Sequence, residues 1–210
     1  MCKNSKRVGH RRDGGWDICL APDYHIKKPC LVYSVGINHD WSFDDGMAKY
    51  YKCKVKSFDP SMGLPDHRRG KLVQFFNTGL GGANEVNKHG WKMKTLGTLL
   101  KALKHENKTI DVLKFDAEFS EWSVLETTLK EGSLRNVKQI ATELHAWRDT
   151  TKDYVYFWRL LVGLHNEGFE KWNVENKRKH PSCFNIQGKW YCPQADMNFI
   201  NTKYLKTTIA

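Results

Sequence analysis

The sequence predicts an α/β domain with a mostly parallel central sheet, helices on both faces and an antiparallel last strand. Three observations carry this. Strand-length apolar runs alternate with helix-length segments along most of the chain. Two of those runs lie close together near the N-terminus with a helix-sized segment between them, and each leads into an acid. Leu31-Val32-Tyr33-Ser34-Val35-Gly36 runs on to Asp40, and Lys54-Val55-Lys56-Ser57-Phe58 ends at Asp59. The last two runs have no helix between them, so they pair antiparallel.

The elements follow in order. Residues 1–30 read as an irregular N-terminal arm, with turn signals at Asp13-Gly14-Gly15 and Ala21-Pro22-Asp23. Residues 31–205 read as the folded domain. Its first strand is 31–35, a short helix covers 44–51, and the second strand is 54–58. Residues 60–70 are rich in Pro, Gly and Asp and read as loop, 71–76 as a third strand, and 77–82 as a flexible turn. Met93, Leu96, Leu99, Leu100 and Leu103 share one face of a helix predicted over 93–105. Strand four is 110–115. A helix over 123–129 stops at Gly132. Strand five is 137–144, an apolar helix covers 154–166, and 169–174 with 197–201 form the final pair.

Composition bounds the function. The chain has 210 residues, 40% of them apolar and 12% aromatic, enough for one sizeable core. No apolar run approaches the roughly 20 residues needed to cross a bilayer. Met1 to Arg12 is basic and polar, unlike a secretory signal. The expected location is the secretory pathway or outside the cell if the chain is a fragment of a longer precursor, and the cytoplasm otherwise. The net charge of +11 fits either a solvated basic surface or attraction to nucleic acid, anionic glycans or membrane. Its densest pieces, Arg11-Arg12, His67-Arg68-Arg69 and Lys177-Arg178-Lys179-His180, lie far apart, and no zinc finger or RNA-recognition signature accompanies them. Nucleic acid is therefore a possible partner but not the favoured one.

In such a sheet a ligand binds beyond the carboxyl ends of the strands. Five strands deliver polar or glycine residues there: Gly36, Asn38 and Asp40; Asp59; Asn77 and Gly79; Asp116 and Glu118; Glu143 and His145. A glycine turn lets backbone approach a ligand closely, and an acid at the tip of the second strand can accept from both ribose hydroxyls. That pair points to a nucleoside-bearing cofactor. The alternative for Asp59 is an acid that starts the turn before Pro60. Asp116, Glu118, Glu143 and His145 form a second cluster. It could supply a general base, hold a divalent cation through Asp116, Glu143 and His145, or be a structural network neutralised by Lys114.

Four segments carry a resemblance. They are Tyr33-Ser34-Val35-Gly36-Ile37, Ser57-Phe58-Asp59-Pro60-Ser61, Lys114-Phe115-Asp116-Ala117-Glu118-Phe119-Ser120-Glu121-Trp122 and Thr142-Glu143-Leu144-His145. Together they resemble a class I S-adenosylmethionine-dependent methyltransferase, and more narrowly the FkbM-like and methyltransferase-like proteins of animals. Asp13-Gly14-Gly15-Trp16-Asp17-Ile18-Cys19 is similar to that family's N-terminal segment. Two departures stand out. Phe119 replaces the family's glycine after strand four, and Ser34 and Asn38 stand where an acid and a second glycine are common. The resemblance implies a Rossmann-like class I methyltransferase fold and S-adenosylmethionine as cofactor. It implies Ser34, Gly36, Asn38, Asp40, Asp59, Asn77, Gly79 and Asp116 as the residues around that cofactor. It favours O-methylation of a small molecule or sugar. The alternatives are a catalytically silent binding module on the same fold, or a basic nucleic-acid-binding protein.

Six cysteines, Cys2, Cys19, Cys30, Cys53, Cys183 and Cys192, suit either disulfides or reduced thiols. Cys19 with Cys30, and Cys183 with Cys192, flank short loops and could close local bridges.

Overall fold

The computed structural model describes residues 2–11, 14–118, 120–146, 150–176 and 183–205. Within them the strands run β1 (Ser5–Val8), β2 (Trp16–Cys19), β3 (Leu31–Val35), β4 (Lys54–Phe58), β5 (His67–Arg69), β6 (Val73–Phe76), β7 (Gly79–Leu80), β8 (Glu85–Val86), β9 (Lys92–Lys94), β10 (Val112–Phe115), β11 (Gln139–His145), β12 (Phe169–Asn176), β13 (Phe184–Ile186), β14 (Lys189–Tyr191) and β15 (Gln194–Asn201). The helices are α1 (Ser42–Tyr50), α2 (Leu96–Ala102), α3 (Glu121–Glu131) and α4 (Thr151–Asn166).

Eight strands make the central sheet, in the order β12-β15-β11-β10-β3-β4-β6-β5. β11, β10, β3, β4 and β6 are parallel to their neighbours in that run. β15 is antiparallel to both β11 and β12, and β5 is antiparallel to β6. The expected Rossmann-like class I methyltransferase architecture is the one the chain adopts, down to the antiparallel final pair.

Burial explains why β3 is apolar almost throughout. Tyr33 and Val35 face a core shared with Leu113, Ile140 and helices α2, α3 and α4. Val32 faces the other way, toward Val55, Val112, and Phe43 and Met47 of α1. A strand covered on both sides loses apolar area to water at every position, at roughly 25 cal/mol per Å².

The second face holds the main surprise. The arm expected to be irregular carries the antiparallel ribbon β1–β2. Val8, Trp16 and Ile18 of that ribbon sit in the core beside α1. Gln139 of β11 fastens it, accepting from the Cys19 N–H at 2.8 Å and donating to the Cys19 carbonyl at 3.0 Å. The alternation of Trp16, Asp17 and Ile18 was too short to stand out among Gly, Pro and basic residues. The sheet supplies the missing surface.

Other differences have local causes. The segment predicted as one helix over 93–105 splits into β9 and α2, because Thr95 caps α2 by accepting from the Thr98 N–H. The residues before it pair with β7 and β8 instead. The loop 60–70 contains the edge strand β5. Gly132 does end α3, with φ of +62°. The cysteines pair as Cys2–Cys19, Cys30–Cys53 and Cys183–Cys192. The last is the expected local bridge. The expected Cys19–Cys30 bridge is not formed, because Cys19 closes the β1–β2 ribbon and Cys30 precedes β3 beside the entry to β4.

Candidate functional site

Strand order reverses between β3 and β10, so the crevice beyond their carboxyl ends is where such a sheet takes a ligand. The turn leaving β3 shapes it. Gly36 has φ of +75°, and a Cβ there would lie 1.8 Å from the Asp116 carbonyl oxygen. Only glycine fits so close to neighbouring backbone in that conformation. Asn38 and His39 follow at φ of 44° and 64°, and asparagine is among the residues that tolerate this region best. The Asp40 N–H closes the turn on the Ile37 carbonyl at 2.8 Å.

Two buried charges hold this turn. Asp59, at the tip of β4, accepts from the Ile37 and Asn38 N–H groups, both at 2.8 Å, through Oδ2. Its Oδ1 accepts from the Ser61 N–H at 2.9 Å and the Ser61 hydroxyl at 2.6 Å. A carboxylate offers about four lone-pair positions, and these four donors fill them. Asp59 therefore starts the turn before Pro60 and also ties strand tip to strand tip. Lys114 of β10 works from the other side, donating to the Val35 carbonyl at 2.8 Å and to the Gly36 carbonyl. Burial pulls its pKa down, against the opposing pull of Asp116, Asp44, Asp59 and Asp40.

Several residues expected around a cofactor have partners within the protein. Ser34 is fully buried, and its hydroxyl donates to Asp44 of α1 at 3.2 Å, with Ser57 bonding the same carboxylate. Burial pushes the Asp44 carboxyl up to about 6, despite these bonds and Lys114. The acid missing from β3 is thus supplied to the interior by the neighbouring helix. Asp40 accepts from the Ser42 N–H and pairs with His10 of the ribbon segment at 2.9 Å. Burial would raise its pKa, but these bonds and the His10 charge outweigh it and hold it low. The Asn77 N–H donates to Asp66, and Gly79 is packed against Met93 and Pro60. Gly36, Asn38, Asp59 and Asp116 are the expected residues that the structure brings together at the crevice.

The acidic–histidine cluster forms on the β10–β11 side. Phe115 pairs with Thr142, so Asp116 and Glu143 are the next positions along adjacent strands. Glu143 is buried and accepts from the Gln194 amide of β15. His145 is buried at the end of β11, its Nδ1 3.2 Å from Oε1 of Glu121 and its Nε2 3.9 Å from the Glu118 carboxylate. Burial pulls the His145 pKa down, but the Glu121 bond and the Glu121, Glu143 and Asp116 charges reverse this, and the net shift is upward. Burial, with Glu143, Glu118 and Glu121 adding to it against Lys114, pushes the Asp116 carboxyl up to about 7. Glu118 is different: its side chain is 76% exposed, and its backbone sits at φ of +44°.

Glu121 is not among the site residues expected from the sequence. It opens α3 with no exposed surface, and its Oε1 also accepts from the Ala117 N–H at 3.0 Å. The signal was there in the stretch from Asp116 to Trp122, where an acid begins the helix after strand four. Ligand-type atoms of Asp116, Glu121 and His145 lie within 4.8 Å of one another. Glu143, expected in that set, is not one of the three; its carboxylate accepts from Gln194 of β15. Phe119 and Trp147 lie outside the described residues, as do Asp13 and the basic stretch Lys177-Arg178-Lys179-His180.

Beside the cluster runs an apolar groove of about 220 Å³ between α4, β11 and β15. Trp122 floors it, stacked on Phe157 at 4.0 Å and donating its indole N–H to the His145 carbonyl at 2.8 Å. Tyr154 and Trp158 stand on its rim, 51% and 67% exposed.

The family described as a methyltransferase domain matches residues 1–187. The chain belongs to this family. This methyltransferase domain is 27% identical over 187 residues to the probable methyltransferase-like protein 24 of Homo sapiens, covering 80% of this chain and 50% of that protein. The Rattus norvegicus counterpart is likewise 27% identical, with 51% of its length covered. The chain spans about half the length of the curated relatives it matches. An rRNA methylase from Streptococcus thermophilus is similar at a TM-score of 0.47 and 13% identity, over 85% of this chain and 91% of that one. A methyltransferase from Pyrococcus furiosus is similar at 0.40 and 12%, over 84% and 77%. Likeness at this level assigns no acceptor.

Proposed function

We propose that this methyltransferase domain binds S-adenosylmethionine in the crevice between β3 and β10 and passes its methyl group to a hydroxyl of a small molecule or glycan. The observation that carries the reading is the Gly36 turn, pressed against the Asp116 backbone at the point where strand order reverses. Gly36 and Asn38 supply close backbone for the methionine part, and Asp116 borders it from β10. Asp59 holds the ribose after the Ser61 hydroxyl, its most easily rotated donor, gives up its place. Bound there, S-adenosylmethionine would supply an electrophilic methyl carbon to the acceptor oxygen, its sulfonium leaving as a neutral thioether. The hydroxyl proton leaves to Glu118, the most exposed carboxylate of the cluster. The part-buried Asp116 and the buried Glu121, Glu143 and His145 sit behind it. The exposed rings of Tyr154 and Trp158 beside the groove offer a surface for the apolar face of a sugar or aromatic acceptor.

Titration calorimetry with S-adenosylmethionine tests the cofactor, and saturable binding is expected. Once an acceptor is found, Glu118→Gln should lower turnover by about 10²–10⁴-fold with cofactor affinity unchanged. Equal turnover in the variant removes Glu118 from the chemistry. Binding to RNA or DNA that falls steeply with salt would favour a nucleic-acid acceptor instead.

A further inference from the structure

We infer that Asp116, Glu121 and His145 form a binding site for a divalent cation of mixed nitrogen and oxygen preference, such as Mn²⁺ or Zn²⁺. Three separate observations converge. First, one ligand-type atom from each of the three residues lies within 4.8 Å of the others. Donors about 2.0–2.2 Å from a common ion stand roughly 3–4 Å apart, so small side-chain adjustments complete the set. Second, Oδ1 of Asp116 and Oε2 of Glu121 are buried with no hydrogen-bond partner among the described residues. Glu121 has no exposed surface at all. A buried carboxylate oxygen without a partner is costly, and here two of them occur in one cluster. A cation supplies the missing partner to both. Third, the three donors come from three different elements that are rigid where they meet. Asp116 follows β10 and is pinned behind the Gly36 turn, His145 ends β11, and Glu121 opens α3 with its other oxygen on the Ala117 N–H.

The donor chemistry selects the ion. Two carboxylates and an imidazole suit Mn²⁺, Zn²⁺ or Fe²⁺ better than Ca²⁺ or Mg²⁺, which prefer all-oxygen sets. The charges match as well. Asp116, Glu118, Glu121 and Glu143 crowd one strand end, and the Lys114 ammonium beside Asp116 is already given to two carbonyls. The site deepens the proposed function and rests on it for its consequence. A cation behind Glu118 would lower the pKa of an acceptor hydroxyl, so that the exposed carboxylate can take its proton.

The test is titration calorimetry of the whole chain with MnCl₂ and, separately, ZnCl₂, with the Mn²⁺ electron paramagnetic resonance signal as a second readout. One saturable site is expected. Asp116→Asn and Glu121→Gln should each weaken it by at least the roughly ten- to hundred-fold that even a supporting residue costs. Glu126→Gln, a surface acid on the same helix already paired with Lys130, should leave it unchanged. Asp116→Asn removes no side-chain hydrogen bond among the described residues, so it carries the test if Glu121→Gln does not fold. Absence of saturable binding of either ion overturns the inference, and so does binding that is indifferent to Asp116→Asn. S-adenosylmethionine titrated into the same sample without added cation reports on the cofactor reading alone, so the two ideas can fail separately.

Discussion

Asp59 carries four hydrogen bonds on one carboxylate, three of them from backbone N–H groups at two strand tips. Its removal should therefore cost stability as well as cofactor affinity. Asp59→Ala is expected to lower folding stability by more than about 1.5–3 kcal/mol, the worth of a single bond to a charged group, and to weaken S-adenosylmethionine roughly ten-fold. Thermal melts and calorimetry on the same preparation separate the two effects. An unchanged melting temperature would mean the turn does not depend on this carboxylate. Asp116 gives a prediction of opposite sign. Burial pushes its folded carboxyl up to about 7, against roughly 3.9 for an unfolded Asp. Between those values the folded state holds a proton that the unfolded chain has lost, so stability falls as pH rises through that window. Asp116→Asn should then be more stable than the parent at pH 8, by on the order of 4 kcal/mol, and close to it near pH 4. A parent that matches the variant at pH 8 would contradict the buried placement. His145 acts in the same direction, since its raised pKa adds stability that is lost as pH rises past it.

At the scale of elements, the decisive piece is the turn between β3 and α1. Gly36→Ala would set a Cβ 1.8 Å from the Asp116 carbonyl oxygen at φ of +75°. The left-handed conformation alone costs about 1–2 kcal/mol, and the backbone clash adds to it. The expected outcome is a large fall in melting temperature or loss of cofactor binding, because the β3 turn and the β10 tip must separate. A variant with native stability and native affinity would show that the crevice is wider than this geometry. α3 has a comparable role on the acceptor side. It carries Glu121 in its first turn, and one turn bears Trp122, whose indole N–H satisfies the His145 carbonyl. The helix therefore sets both the base of the groove and the back of the acidic cluster.

For the whole molecule, three disulfides tie the periphery to the sheet. Cys2–Cys19 closes the β1–β2 ribbon, and Cys30–Cys53 joins the entries to β3 and β4 across a sequence separation of 23 residues. Bridges over loops of this size contribute about 2–4 kcal/mol each, mainly by constraining the unfolded chain. Mass spectrometry of unreduced peptides from natively made material should find Cys2–Cys19, Cys30–Cys53 and Cys183–Cys192. Reduction should lower the melting temperature markedly. Free thiols at these positions would instead place maturation in a reducing compartment.

Local pattern alone determined the alternation of strands and helices, the antiparallel final pair, the Gly132 stop of α3 and the concentration of polar residues at the strand ends. These are legible because period, turn residues and strand polarity depend on near neighbours in the chain. The β1–β2 ribbon was not legible, since its four-residue strands gain their stability only from the sheet face they cover. Nor were the fates of Ser34 and Asp40. Asp44 and His10 claim their oxygens through contacts that no spacing rule announces. The cysteine pairing was likewise settled by which strands lie side by side. Tertiary structure also replaced Glu143 with Glu121 in the cluster around Asp116 and His145. Both acids stand near the strand-four and strand-five tips in sequence, but only the packing of α3 and β15 decides which one faces inward with an oxygen to spare and which is engaged by Gln194.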